Sequence, residues 1–230
     1  AAAAPEGAAG GTRPVFPGKR RGYAVKKDWN ARLQEITQTD RALWQTGRAF
    51  AGIDEAGRGP LCGPVAAACV IMPPQPLLLY VDDSKKLTEK RREALYDRIM
   101  ETAVYACVKL ASAEEIDRDN ILQATRRAMA DAAREAPCDL FLVDAVDRLD
   151  VRGEVHGIVH GDAQCYSIAA ASILAKVTRD RLMRELDAQY PQYGFAKNKG
   201  YGTAQHIAAL RQYGPCPAHR RTFIGHFVSV

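Results

Sequence analysis

Four acidic side chains stand at places in the chain where apolar segments end or begin. Asp54 and Glu55 follow a short apolar run, Asp144 closes a second one, and Asp162 precedes an alanine-rich stretch. Proteins of the α/β class build their sites at such element ends and in the adjoining loops. A single aspartate there is more often a helix cap or a turn residue, so the acids indicate chemistry only if the fold brings them together.

Chemistry from these acids requires a cation. Four carboxylates in one place carry a charge of about −4, which is unfavourable unless it is neutralised. Mg²⁺ prefers hard oxygen ligands, and two divalent ions about 4 Å apart can activate a water on one side of a phosphodiester and stabilise the leaving oxygen on the other. Asp180 is excluded from such a cluster, because it lies about 27 Å from Asp162 along one predicted helix.

The adjacency of Asp54 and Glu55 sets a geometric condition. Neighbouring residues of a regular strand point to opposite faces of the sheet. If both residues bind metal, the strand must end or bulge there, or one of them must contribute its backbone carbonyl.

A turn with two glycines follows the acid pair directly, as Gly57, Arg58 and Gly59. Glycine lets the backbone approach a ligand without a Cβ in the way, and such a turn can present N–H groups and an arginine to a phosphate or a sugar hydroxyl. Contact with a 2′-OH is how a protein distinguishes RNA from DNA. A structural hairpin with a solvated arginine has the same pattern, so the turn alone leaves both interpretations open.

The elements that must position these residues alternate in type. We predict strands at 50–54, 65–72, 105–110, 139–144 and 155–159, and helices at 28–47, 88–103, 112–135, 162–189 and 203–212. Alternating strands and helices indicate an α/β protein. The run DLFLVD at 139–144 is typical of a strand that is covered on both faces, as in a parallel sheet. The first two strands resemble a hairpin, so we expect a mixed sheet.

Composition limits the class of protein. The chain has 230 residues, of which 47% are hydrophobic and 26% charged, which excludes a disordered chain, a fibrous repeat and a disulfide-rich miniprotein. The net charge is +5, and no acidic residue follows Asp187. This basic C-terminal part is typical either of a nucleic-acid partner or of a solvated surface.

Cysteine usage and apolar content bear on the compartment. The six cysteines are scattered singly with no C-x-x-C pair, which argues against a zinc site and favours a reducing cytosol. The longest apolar stretches fall short of the roughly 20 residues of a membrane helix, and no basic region leads into an apolar one at the start. We therefore expect a cytoplasmic protein that is a monomer and has no membrane segment.

Several long motifs occur in order along the chain. They are residues 51–64 (AGIDEAGRGPLCGP), 83–92 (DSKKLTEKRR), 143–144 (VD), 161–162 (GD), 167–180 (SIAAASILAKVTRD), 193–195 (YGF), 199–203 (KGYGT) and 219–223 (HRRTF). Together they resemble the signature of type 2 ribonuclease H, the ribonuclease HII family, over about residues 43–227. The glycine turn separates the chain from the type 3 enzymes, which are similar in their acids but lack that turn.

This resemblance implies a fold and a domain organisation. It implies an α/β, ribonuclease H-like fold, in which a mixed β-sheet is flanked by helices and followed by a small C-terminal helical lobe. We accordingly divide the chain into a disordered basic tail (1–25), an N-terminal helical segment (26–48), the catalytic domain (49–189) and the C-terminal lobe (190–230).

The resemblance also implies an activity. The expected enzyme is an endoribonuclease that hydrolyses the RNA strand of RNA/DNA hybrids and cuts 5′ of single ribonucleotides embedded in duplex DNA. Cleavage leaves 5′-phosphate and 3′-hydroxyl ends and serves ribonucleotide removal in DNA repair and replication. Two Mg²⁺ or Mn²⁺ ions would be held by Asp54, Glu55, Asp144 and Asp162, with Asp54 bridging both. Two alternatives remain, namely another metal-dependent nuclease of the same fold and a non-catalytic module that binds RNA/DNA hybrids.

Substrate contacts follow from the same resemblance. The turn that reads the RNA–DNA junction falls on Gly57, Arg58 and Gly59, and the tyrosine that stacks against the neighbouring sugar falls on Tyr201. We expect Lys85 and Lys86 to hold backbone phosphates. For four further cations, solvated surface charge is the favoured interpretation; these are Lys197, Lys199, Arg220 and Arg221.

Two positions depart from the family pattern. His160 stands where the family commonly has lysine, which removes a permanent positive charge beside the acids and makes phosphate affinity weaker or dependent on pH. Cys165 stands where a small polar residue is common. Neither position is an expected metal ligand.

Overall fold

A mixed β-sheet forms the centre of the protein. The computed structural model describes residues 28–146 and 148–228, so the predicted tail at 1–25 lies outside the described residues. The strands are β1 (Ala51–Ala56), β2 (Val65–Ile71), β3 (Tyr105–Ala111), β4 (Leu140–Asp144) and β5 (Glu154–Ile158). In the described part of the chain they form one five-stranded sheet in the order β3-β2-β1-β4-β5. β1 pairs antiparallel with β2 and parallel with β4, which confirms the mixed sheet.

Helices cover both faces of this sheet. The helices of the described residues are α1 (Trp29–Ile36), α2 (Gln38–Gln45), α3 (Glu89–Thr102), α4 (Ala113–Asp119), α5 (Ile121–Ala133), α6 (Tyr166–Gln189), α7 (Phe195–Asn198), α8 (Ala204–Tyr213) and α9 (Arg221–Ile224). Alternate residues of β2 divide the core, since Ala66 and Ala68 pack with residues of α6 while Ala67 and Cys69 pack with residues of α5. The central strands β2, β1 and β4 are therefore largely buried on both faces, as the apolar run of β4 predicts.

Side-chain caps mark the starts of several helices. Thr88 accepts a hydrogen bond from the Arg91 N–H at the start of α3, and Ser112 forms the predicted capping box with Glu115 at the start of α4. The expectation of one helix over 112–135 is wrong, because Asn120 interrupts it with a φ of +66°. Asn120 then caps α5 with its side-chain oxygen, a role that this residue type performs well.

The long helix α6 starts later than the sequence predicts. Residues Gly161–Ala163 form a separate 3-10 turn, and α6 begins at Tyr166. Its N-terminus is capped from another helix, because the buried carboxylate of Asp40 on α2 accepts hydrogen bonds from the Tyr166 and Ser167 N–H groups at 2.9 Å. The thiol of Cys165 donates to the same carboxylate. The N-terminal helices therefore fix the start of the helix that carries the centre of the core.

Helix α6 packs very closely against β1. A Cβ built on Gly52 would lie 2.2 Å from the backbone of Ser167, so only glycine fits at this crossing. Within the described residues, none of the helices has the length and apolar character of a membrane span.

Candidate active site

Three carboxylates meet where the pairing of β1 with β4 ends. These neighbouring strands are parallel, and Ile53 lies opposite Val143 as the last pair of their register. The next residues, Asp54 within β1 and Asp144 at the end of β4, therefore stand side by side. The 3-10 turn adds Asp162, and carboxylate oxygens of the three residues lie within 4.8 Å of one another. We call Asp54, Asp144 and Asp162 the acidic cluster.

Glu55 approaches the acidic cluster from the other face of the strand. β1 pairs with β2 in regular register through Glu55 and Ala56, so the strand neither ends nor bulges at the acid pair. Of the three ways in which both residues could bind metal, this register leaves open the contribution of a backbone carbonyl. The Glu55 side chain pairs with Arg58, with a Nη1–Oε1 distance of 3.5 Å. Its Oε2 atom is buried and has no hydrogen-bond partner within the described residues. The structure thus brings together three of the four predicted ligands and leaves the fourth beside them with a free oxygen.

Short hydrogen bonds orient these carboxylates. The Gly161 N–H donates to Oδ1 of Asp144 at 2.8 Å, and the Glu55 N–H donates to Oδ1 of Asp54 at 2.7 Å. Ser172 on α6 acts to lower the pKa of Asp54, against the larger effect of burial. Held in this way, the side chains need little further ordering to bind a cation.

The acids outweigh the cations around them. Burial, followed by the charges of Glu55 and Asp144, raises the pKa of Asp54 well above its ordinary value. Burial also raises the pKa of Asp162, and the charge of Asp83 adds to this against the opposing effect of Lys85. Hard oxygen donors, mutual repulsion and the orphaned oxygen of Glu55 are the features of a site for a divalent cation. The residues present therefore fit the metal that the sequence predicts.

The two predicted phosphate-binding lysines have different surroundings. Lys85 extends toward the acidic cluster, with Nζ 3.5 Å from Oδ2 of Asp162 and a side chain that is 77% exposed. Burial acts to lower the pKa of Lys85, but the charges of Asp162, Asp54 and Asp83 raise it overall. The Nζ of Lys86 instead pairs with Oδ2 of Asp83 at 3.4 Å. Of the two, Lys85 is the one placed beside the reacting centre.

Two buried arginines hold the glycine turn in place. Arg220 is fully buried and donates to the backbone carbonyls of Gly57, Arg58 and Gly63 at 2.6–3.0 Å. Arg179 passes beneath Gly57, which has a φ of +99° and whose added Cβ would lie 2.0 Å from Nε of Arg179. A side chain at Gly57 is therefore excluded both by its backbone conformation and by its neighbour.

The interpretation of Arg220 as solvated surface charge is wrong. Its guanidinium acts on the inside of the turn, and Arg179 plays a comparable role that the sequence does not reveal. The sequence alone does not distinguish an arginine that donates to buried carbonyls from one that faces solvent or phosphate. The motif HRRTF contains one of each, since Arg220 is buried and Arg221 is exposed.

Most of the predicted substrate residues line one cleft together with Glu55. Tyr201 is 47% exposed, and a Cβ on Gly59 would lie 3.6 Å from its ring. The cleft has a volume of about 470 Å³, and its walls include Glu55, Gly57, Arg58, Gly59, Lys85 and Tyr201. Lys176, Arg92 and Ser172 also line it, and the sequence did not single them out. The cleft reaches the edge of the acidic cluster through Glu55, the neighbour of Asp54, and through Lys85, whose Nζ lies 3.5 Å from Oδ2 of Asp162.

The sequence of the chain matches that of a known protein family. The family model of ribonuclease HII matches residues 51–227. The chain belongs to the ribonuclease HII family. Ribonuclease HII of Caldanaerobacter subterraneus subsp. tengcongensis is 50% identical over 196 residues, which cover 84% of this chain and 81% of the relative. Ribonuclease HII of Geobacillus kaustophilus is 50% identical over 208 residues, covering 89% and 78%.

The fold of a solved ribonuclease agrees with this assignment. The crystal structure of the ribonuclease H2 from Pyrococcus horikoshii OT3 aligns with a TM-score of 0.63 at 28% identity, covering 76% of this chain and 93% of that one. The predicted ribonuclease H-like fold is therefore confirmed. As a member of the ribonuclease HII family, the chain is a hydrolytic ribonuclease, an endonuclease that acts on nucleic acid. Family membership therefore favours an enzyme over the alternative of a non-catalytic binding module.

The two departures from the family pattern lie outside the acidic cluster. His160 precedes the 3-10 turn in the left-handed region, with φ +56°, and is exposed. Cys165 is buried and directs its thiol to Asp40, so it belongs to the cap of α6. Neither side chain replaces one of the four predicted metal ligands.

Proposed function

We propose that this ribonuclease cuts duplexes at ribonucleotides, both in the RNA strand of RNA/DNA hybrids and on the 5′ side of single ribonucleotides embedded in DNA. The observation that carries the proposal is the cleft in which Glu55 and Lys85, at the edge of the acidic cluster, share the walls with Gly57, Arg58, Gly59 and Tyr201. A nuclease that reads only phosphates has no need of a buried scaffold that fixes backbone groups beside the acids. A 2′-OH reader does need one, since it must discriminate a single oxygen atom.

Asp54, Asp144, Asp162 and Glu55 are the residues that would hold divalent cations, Mg²⁺ or Mn²⁺. When bound, a pair of such ions supplies an activated water and stabilises the leaving oxygen of the phosphodiester, which gives 5′-phosphate and 3′-hydroxyl ends. The chain supplies the positions of the ligands through the register of β1 with β4 and the Gly161 N–H. Lys85 is placed to attract a backbone phosphate to the edge of the cluster.

Recognition would be divided between the turn and the tyrosine. Arg220 donates to backbone carbonyls of the turn and Arg179 packs against Gly57, so that Gly57 and Gly59 can approach the ribose closely. Arg58 is 43% exposed in its side chain and can reach substrate while it pairs with Glu55. The Tyr201 ring offers a flat surface to the adjoining sugar or base. This arrangement suits a ribonucleotide that is flanked by DNA, with repair of such lesions as the expected role.

A substrate comparison tests the proposal. Three duplexes of one sequence would be incubated with enzyme and Mg²⁺ or Mn²⁺, and products would be mapped at nucleotide resolution. The duplexes are an all-DNA duplex, a DNA duplex with one ribonucleotide, and an RNA/DNA hybrid. We expect cleavage 5′ of the single ribonucleotide and within the RNA strand, with the all-DNA duplex intact. Equal cleavage of the all-DNA duplex would refute the role of the glycine turn.

A further inference from the structure

A buried group of two cysteines and a histidine lies behind the glycine turn. Cys62 follows the turn, while Cys216 and His219 lie between α8 and α9. One ligand atom from each residue lies within 4.8 Å of those of the others, and all three residues are buried. Cys62 and His219 are also partners in an isolated antiparallel bridge, so the backbone itself fixes their approach. We call Cys62, Cys216 and His219 the Cys–His cluster.

Hydrogen bonds determine the protonation of the histidine ring in this cluster. The backbone N–H of Cys216 donates to Nδ1 of His219 at 3.0 Å, so Nδ1 carries no proton. His219 must therefore donate through Nε2 to Nε2 of His206 at 3.0 Å, and His206 donates through Nδ1 to the carbonyl of Tyr201 at 2.9 Å. A donor at one end and an acceptor at the other fix the direction of the whole chain.

This series of hydrogen bonds leaves the His219 ring in the protonation state that a metal requires. A ligating histidine uses an unprotonated nitrogen, and its other nitrogen donates to a group that fixes the ring orientation. In His219 the unprotonated Nδ1 lies 3.1 Å from the sulfur of Cys216. The face-to-edge packing of Tyr193 on His219, with ring centroids 4.9 Å apart, keeps the ring in place.

Two buried guanidinium groups, those of Arg179 and Arg220, lie beside these cysteines. The hydrogen bonds of these two guanidiniums go to backbone carbonyls of the turn and its neighbours, including the carbonyl of Cys62. Their positive charges therefore remain available to stabilise anionic sulfur.

We propose that Cys62, Cys216 and His219 form a buried site for a thiophilic divalent cation, with Zn²⁺ as the class representative. Two sulfurs and one imidazole nitrogen are a donor set that Zn²⁺ uses with three protein ligands. Binding releases one proton from each thiol that is protonated, so the cation and the two thiolates together add no net charge to the interior. The ion would replace the Cys216 N–H as the partner of Nδ1.

Such an ion would join two parts of the chain that build the substrate cleft. The backbone of Leu61 already bonds to Gly200 and Arg220, next to Tyr201 and beneath the turn. A metal bridge from Cys62 to Cys216 and His219 would stabilise this junction of the turn with the C-terminal helices. The site is separate from the acidic cluster in both its residues and its donor chemistry.

Cobalt substitution tests this proposal. The full-length protein would be reduced, freed of metal and titrated with Co²⁺ in an Asp144→Asn background that weakens the acidic cluster. Thiolate ligands give Co²⁺ an intense charge-transfer band in the near ultraviolet, and carboxylates do not. We expect one equivalent to produce this band and one equivalent of Zn²⁺ to remove it. Cys216→Ser and Cys62→Ser should abolish the band, and Cys138→Ser, which changes a thiol outside the cluster, should preserve it.

Two further measurements keep the result decisive. Since a serine in a buried site can impair folding, His206→Asn serves as a milder variant and should weaken Zn²⁺ binding by about 10–100-fold. Competition with a chromophoric chelator measures this in the otherwise unchanged protein. Absence of the charge-transfer band in the reduced protein would overturn the proposal, as would a band that survives in both serine variants. A Cys62–Cys216 disulfide by mass spectrometry together with no Co²⁺ binding after reduction would replace it with a redox pair.

Discussion

Asp54 and Asp144 stand side by side because β1 and β4 are parallel and in register, with Ile53 opposite Val143. Residues that are far apart in sequence thus bring their carboxylate oxygens within 4.8 Å of one another and of Asp162. The rest of the site is built around this pair, since the 3-10 turn orients Asp144 and β1 leads directly into the glycine turn.

Removal of one acid should abolish cleavage without loss of the fold. We expect Asp144→Asn to lower kcat/KM in Mg²⁺ by more than about 100-fold, the upper end of losses from groups that only orient metal ligands. Asp139→Asn is a matched control, because Asp139 precedes the same strand at its other end and is exposed. Initial rates on a duplex with one ribonucleotide give the comparison. Undiminished activity of Asp144→Asn would show that Asp144 is not a ligand.

Asp54 should reduce the stability of the metal-free protein at neutral pH. Burial and neighbouring carboxylates raise its pKa in the folded state, so the folded protein loses stability as the pH rises above the ordinary pKa of aspartate. Asp54→Asn should therefore raise the Tm of the metal-free protein at pH 8 by several degrees, on the scale of about 2–4 °C per kcal/mol for a domain of this size. Near pH 3 the difference should vanish.

Thermal unfolding in a chelator, followed by circular dichroism at both pH values, measures this effect. Added Mn²⁺ should raise the Tm of the unchanged protein more than that of Asp54→Asn. A lower Tm for Asp54→Asn than for the unchanged protein at pH 8 would contradict the repulsion that we infer.

The exposed recognition residues should affect rate rather than folding. We expect Tyr201→Ala to lower kcat/KM on a single-ribonucleotide duplex by about 10–100-fold, since one stacked ring contributes about 1–3 kcal/mol. Arg58→Ala should lower it to a similar extent. Both side chains are about half exposed, so the Tm should change little. Tyr213→Ala removes another exposed tyrosine, on α8, and should leave the rate unchanged. If Tyr201→Ala and Arg58→Ala both cleave as fast as the unchanged protein and Tyr213→Ala, the proposed recognition is refuted.

Substitution of the buried Arg220 should lower the stability of the fold as well as the rate. Arg220→Lys cannot reproduce the planar fork that serves three carbonyls of the turn. We expect a loss of stability on the order of 3 kcal/mol, within the range for breaking a buried charged network, and a lower rate on the single-ribonucleotide substrate. Arg221→Lys changes the exposed neighbour and should alter neither. Differential scanning calorimetry and initial rates on both variants test this, and an unchanged Tm for Arg220→Lys would contradict it.

The sequence predicts what depends on local pattern and on recognised motifs. Apolar runs locate all five described strands, and capping residues such as Thr88 and Ser112 locate helix starts. Capping of α6 by Asp40 was missed because it joins residues 126 positions apart, and no local pattern reports such a bond. The turn arginines and the Cys–His cluster were missed for the same reason, since their partners come together only in the folded chain.

Anomalous diffraction from crystals soaked in Mn²⁺ tests the metal site most directly. We expect anomalous density in contact with Asp54, next to Asp144 and Asp162, with the free Oε2 of Glu55 turned toward it. We also expect the same density to be lost in Asp144→Asn. Mn²⁺ found only elsewhere on the molecule, in a protein that cleaves its substrate in the same buffer, would contradict the assignment of these acids as the metal site.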